Sequence, residues 1–177
     1  MTPKREPFPG SSGTRGQAPH GGQAPKPAQE PVPPPSACLG AALRFLKVRL
    51  RSRGEVWRKL SQGGFSAPEI EKTIQVLEAQ NLLDDARFAR WWVEDRVLSG
   101  KYGPLKVRAE LEAKGIPGPL LGKTLSEIYT PERQREILHG LASKSRFEEL
   151  GSTAAKALRN GFDEEMVAEI LGDGFPS

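Results

Sequence analysis

The sequence predicts an all-α protein, built as three tandem three-helix, helix-turn-helix-like repeats behind a disordered N-terminal tail. Three observations predict it. After residue 36 the apolar residues recur at helical spacing, and no run alternates convincingly with period two. The segments EVWRKLSQGGFSAPEIEKTI, LKVRAELEAKGIPGPLLGKTL and STAAKALRNGFDEEMVAEIL read as copies of one unit. The first 36 residues hold ten of the 16 prolines and five glycines, and beyond Met1 their only large apolar residues are Phe8 and Val32. Such a stretch buries too little apolar surface to offset its ordering entropy.

The tail, 1–36, has no apolar run after Lys4 and Arg5 and so does not read as a signal peptide. Repeat 1 spans 37–81. Leu39, Leu43, Leu46 and Leu50 form one helical stripe. Ser52 and Glu55 make a capping box for a second helix, which Gly63-Gly64 stops. Ser66 and Glu69 make another, with Pro68 in the first turn of a third helix that Asn81 ends. Repeat 2 spans 82–129 and repeat 3 spans 130–177. In each copy a short helix stops at Gly64, Gly115 or Gly161, 51 and 46 residues apart, and an apolar Phe65, Ile116 or Phe162 follows. Each copy is preceded by a further helical stretch, at 39–50, 84–99 and about 131–144.

The stretch LLDDARFARWW, residues 82–92, sets two acids before two tryptophans. Asp84 or Asp85 can accept from the free N–H groups that open the next helix, and both favour its positive end. On a wheel of about 100° per residue from Phe88, Trp92 falls near 40° and Trp91 near 300°. The apolar arc is broad, as in a helix packed on more than one side. Each Trp buries on the order of 200 Å², roughly 5 kcal/mol gross. Helix 84–99 is therefore expected to be the spine where the first and third modules meet the second, with Asp84, Asp85, Phe88, Trp91 and Trp92 architectural.

Little in the chain resembles an active site. Of two histidines, His20 lies in the tail and His139 has no Cys or Asp triad motif near it. The glycine pattern GKYGP at 100–104 lacks the ending of a phosphate loop, and Asp84-Asp85 alone are too few ligands for a metal. The single cysteine, Cys38, builds neither a disulfide framework nor a cysteine-rich zinc site, and reads as a small residue near the start of the first helix. No segment is apolar enough to span a membrane. The reading is a cytoplasmic, monomeric binding protein with no cofactor, metal or small-molecule substrate.

The polar signal is basic. The formal net charge is +4, but residues 43–60 carry seven Lys/Arg against one Glu, while 144–177 carry four basic residues against seven acidic. A basic front half suits a phosphate-bearing or carboxylate-rich partner. Arg44, Lys47 and Arg51 step by three and four beside the first stripe. Lys101, Lys106, Arg108 and Lys114 follow in GKYGPLKVRAELEAKG, where Lys101 and the N–H groups opening the next helix can hold an anion.

Residues 81–116 resemble the RecX family of bacterial recombinase regulators. That family's pattern runs Gly-Leu-Ile-Asp-Asp-x-Arg-Phe-Ala, Gly-x-Gly-Pro-x-x-Ile-x-x-Glu-Leu and Lys-Gly-Ile. Here it reads Asn81 to Ala89, Gly100 to Leu111 and Lys114 to Ile116. The resemblance covers about 37–172. It implies a curved, elongated, non-catalytic body that binds the RecA–single-strand DNA filament; separately, the basic residues themselves leave non-specific DNA-backbone contact open. Such a protein limits filament growth and damps strand exchange, ATP hydrolysis and coprotease action. The chain departs from the pattern at Asn81, in its acidic third module and at Ala157. The alternative is a DNA-binding transcriptional regulator built from helix-turn-helix-like repeats. A helical scaffold for another protein is a third reading.

Overall fold

A computed structural model describes residues 36–172. The tail expectation over 1–36 lies outside them, except at Ser36. Ser36 caps the first helix by accepting the Leu39 N–H at 3.2 Å.

The described residues are helical, in the order α1 (Ala37–Leu46), α2 (Arg53–Gln62), α3 (Ala67–Ala79), α4 (Asp85–Ser99), α5 (Pro104–Ala113), α6 (Gly118–Ile128), α7 (Pro131–Ala142), α8 (Leu150–Arg159) and α9 (Glu164–Leu171). A 3₁₀ turn, Phe147–Glu149, precedes α8. No strand occurs among the described residues. Three hydrophobic cores form, each from three consecutive helices. Val56, Leu60, Ile70, Ile74 and Leu77 fill the first; Phe88, Val93, Val107, Leu111 and Leu121 the second; Leu138, Phe162, Val167 and Leu171 the third. Leu83 packs in the first core, two residues beyond Asn81.

Local chemistry explains the helix ends. Ser52 and Glu55 exchange the reciprocal bonds of a capping box, at 3.1 and 3.2 Å. The Glu69 carboxylate accepts from the Ser66 N–H at 2.9 Å and the Ser66 hydroxyl at 2.6 Å. Gly64, Gly115 and Gly161 share a left-handed backbone, with φ of 81°, 81° and 84°. At each, a following N–H reaches back to the last turn, as Phe65, Ile116 and Phe162 do to the carbonyls of Leu60, Leu111 and Ala157. Asn81 adopts φ 55°, as its place after α3 predicts.

The first stripe is corrected. α1 ends at Leu46, and its buried face carries Cys38 and Ala42, while Leu43 is exposed. Leu50 lies beyond the helix and packs against the second core. A four-three-four leucine rhythm therefore crossed a helix end. The spine expectation for α4 is narrowed: α4 packs chiefly on α6 and α5 of its own module, and reaches the first module through Asp85, which accepts the Arg53 N–H.

The modules meet through a contact used twice. The Ser52 hydroxyl donates to the Lys114 carbonyl at 2.7 Å, and Gly54 lies so close to Lys114 and Gly115 that a Cβ there would overlap the Lys114 carbonyl oxygen. In the second junction the Gly103 N–H donates to the Asn160 carbonyl at 2.8 Å and the Leu105 N–H to the Gly161 carbonyl at 3.1 Å. In both, the start of a middle helix abuts the glycine turn of the next module.

Candidate partner-binding surface

The seven cations expected to touch a partner divide into two groups. Arg44, Lys47, Lys101 and Arg108 are exposed. Arg51, Lys106 and Lys114 are drawn into junctions between modules.

Glu55 organises the first junction. It accepts from Arg49 at 2.8 Å and lies 3.4 Å from Lys114 Nζ and 3.9 Å from Arg51. Burial alone would raise the Glu55 pKa, but the Arg49 hydrogen bond, the Ser52 N–H and the nearby Lys114 outweigh it and hold the carboxyl below its ordinary value. Lys114 Nζ sits 4.0 Å from the centroid of the Trp92 ring. The Arg51 guanidinium lies 4.0 Å over Phe45, and its Nε is buried without a partner. Burial first, then neighbouring Arg49, lowers the Arg51 pKa. Arg51 and Lys114 thus serve the junction, a role their reading as partner contacts did not include. The sequence pattern could not show that a carboxylate 59 residues away reaches Lys114.

The two aspartates cap different helices. Asp84 accepts from the Ala86 and Arg87 N–H groups of α4, at 2.8 and 3.0 Å. Asp85 instead accepts the Arg53 N–H, at 2.7 Å, and so caps α2. Burial, the largest influence, raises the Asp85 pKa above 3.8, against the Arg53 hydrogen bond. A raised folded-state pKa adds stability that is complete below the unfolded value and lost as pH rises through the folded one. Asp85→Asn keeps an acceptor and removes the buried charge. Its melting temperature is expected at or above wild type at pH 7, with the gap closing as pH falls; a pH series of thermal melts checks this.

At the α5 N-terminus two of the N–H groups read as free for an anion, those of Gly103 and Leu105, are committed to the next module. Lys106 Nζ lies 3.4 Å from Asn160 Oδ1. The loop carrying Lys101 is pinned by the Tyr129 hydroxyl, which donates to the Tyr102 carbonyl at 2.8 Å; burial raises the Tyr129 pKa far above that of a free phenol.

The tryptophans differ. Trp92 stacks on Phe88 at 5.8 Å, and its Nε1–H donates to Glu110 at 2.8 Å. Arg96 donates to the same carboxylate at 2.8 Å and lies 4.3 Å over the Trp92 ring. Trp91 is 40% exposed, against the expectation that both rings bury. The wheel placed it at the edge of the apolar arc, away from Phe88 and Trp92.

His139 is exposed, and no group of three or more His, Cys, Asp or Glu gathers among the described residues. No described helix is long and apolar enough to cross a membrane.

Two family models match this chain: the RecX second three-helix domain over residues 84–125 and the RecX first three-helix domain over 38–77. The regulatory protein RecX of Prosthecochloris aestuarii is 39% identical over 141 residues, which cover 76% of this chain and 91% of that protein. The chain belongs to the RecX family. The regulatory protein RecX of Geobacillus kaustophilus is 34% identical over 141 residues, 75% of this chain but 52% of that protein, so the chain spans about half the length of this longer relative. A crystal structure of RecX from Lactobacillus salivarius shares the fold, with a TM-score of 0.68 and 26% identity over 77% of this chain and 94% of that one.

Within this RecX-family chain, sequence reasoning took Ser52 as a cap and Gly103 as part of a helix start, did not single out Gly54, and missed the junction role of all three. A signal was present: Ser52 and Gly103 each stand 12 residues before a repeat glycine, Gly64 and Gly115.

Proposed function

We propose that this chain is a regulatory protein that binds the RecA–single-strand DNA filament and modulates its recombinase, ATPase and coprotease activities. It acts by binding, as a monomer in the cytoplasm, with no chemistry of its own. Its working parts are three modules, 37–81, 82–129 and 130–177, in a curved body. The observation that carries this reading is the 39% identity to a regulatory protein RecX over 91% of that protein. Exposed Arg44, Lys47, Lys101 and Arg108 supply cations for a filament surface, and a transient DNA backbone contact fits them equally.

A transcriptional regulator would read base edges from the second helix of each helix-turn-helix. α9 offers Glu164, Glu165 and Glu169 there, which oppose phosphate contact.

The test is a titration of the full chain into preformed RecA filaments on single-stranded DNA, following ATP hydrolysis, with binding to bare DNA measured in parallel. Suppression at concentrations too low to occupy bare DNA is expected. No suppression, with tight duplex binding, would overturn the reading. Reversing Lys101 and Arg108 to Glu is expected to weaken filament binding and leave the melt unchanged. Reversing Lys114 should lower the melt, since it turns an attraction to Glu55 into a repulsion.

A further inference from the structure

The third module is the acidic one by count, yet its acids do not line its contact with the second. A cleft of about 190 Å³ opens at that contact, lined by Lys101, Lys144, Lys156, Ser145, Thr153 and Asn160 above an apolar floor. Lys101 comes from the α4–α5 loop, Lys144 from the turn after α7 and Lys156 from α8. Lys106 joins them through Asn160, which its Nζ approaches at 3.4 Å. No carboxylate lines the cleft, and among the described residues none lies within 4.0 Å of these four lysines. The contrast with the first junction is sharp: there Arg49, Arg51 and Lys114 share Glu55.

We propose that this cleft holds the phosphate groups of a single nucleic-acid strand, with Lys101, Lys144 and Lys156 as direct contacts and Lys106 in support. Uncompensated lysines converging on a concave site raise the local anion concentration. The hydroxyls serve as wall: Ser145 donates to the Leu141 carbonyl at 3.0 Å and pairs with Thr153 at 2.8 Å, which uses both protons. The charge therefore comes from ammonium groups alone. All four cations are lysines, point-charge phosphate binders; an acidic protein surface is better met by the bidentate fork of arginine. No aromatic ring lines the cleft, so bases are not stacked there and binding is independent of sequence. The inference rests on the filament reading only for which strand the cell presents.

The test measures fluorescence anisotropy of a labelled oligo-dT strand with the full chain across a salt series. Lys144→Gln/Lys156→Gln is compared with Lys72→Gln/Lys123→Gln, an equal charge loss at exposed sites on α3 and α6. The cleft variant is expected to bind about tenfold more weakly and to lower the salt slope by about 1.4, as two lost phosphate contacts require. The control pair should stay near wild type, and the melts of all three should coincide. Equal affinities for both variants would overturn the proposal. Displacement of the strand by millimolar inorganic phosphate at matched ionic strength would make free phosphate the ligand and overturn it too. Loss of filament suppression with unchanged oligo-dT binding would assign the cleft to an acidic protein surface instead. Absence of suppression by the wild-type chain overturns the filament reading alone, whatever the oligo-dT result.

Discussion

Gly161→Ala is expected to lower the melting temperature most among the three repeat glycines, Gly115→Ala next and Gly64→Ala least. All three adopt positive φ, so each substitution costs about 1–2 kcal/mol from the backbone conformation itself. Their surroundings separate them. A Cβ at Gly64 has no atom within 4 Å, whereas at Gly115 it lies 3.2 Å from Gly54 Cα. At Gly161 it would overlap the backbone nitrogen of Lys106. Overpacking of that kind adds roughly 1–3 kcal/mol, so Gly161→Ala should cost about 2–5 kcal/mol in all. At about 2–4 °C per kcal/mol for a chain of this size, the fall is on the order of 10 °C. Calorimetry of the three variants checks the order. Equal losses would mean that the turns matter only as helix stops and that the second junction contributes no stability.

Trp92→Ala is expected to lower stability by about 3 kcal/mol or more, near the lower end for an emptied aromatic site because Trp92 is only half-buried. The substitution removes the stack on Phe88, the indole donor to Glu110 and the ring beneath both Arg96 and Lys114. Trp91→Ala should cost under about 1 kcal/mol, as an exposed ring does. A single denaturation series in urea, with both variants beside wild type, decides it. Equal effects would show that adjacency in sequence rather than side of the helix sets their worth.

The expected helices and stops were legible because their causes are local. Capping boxes at Ser52/Glu55 and Ser66/Glu69 act within three residues, and a left-handed glycine is a property of one residue. Ile70, Leu121 and Val167, each six residues past a repeat glycine, are all buried, as a helix that repeats its faces every few residues requires of equivalent positions. The proposed binding surface was less legible. Of seven cations read as one group, Lys114 and Arg51 turn inward to a shared carboxylate, and Lys144 and Lys156 lie in a module whose net charge pointed away from binding. Net charge sums over a segment, whereas an anion responds to the few groups that converge on one cleft.

By itself, the sequence determined the all-α class, the helix stops and the repeat of one glycine turn, since these depend on periodicity and on neighbours within a turn of helix. Tertiary structure alone decided which aspartate caps which helix, which tryptophan is covered, and that middle-helix starts dock on the next module's glycine turn. Those outcomes depend on groups dozens of residues apart, and chain spacing carries no information about which of them meet.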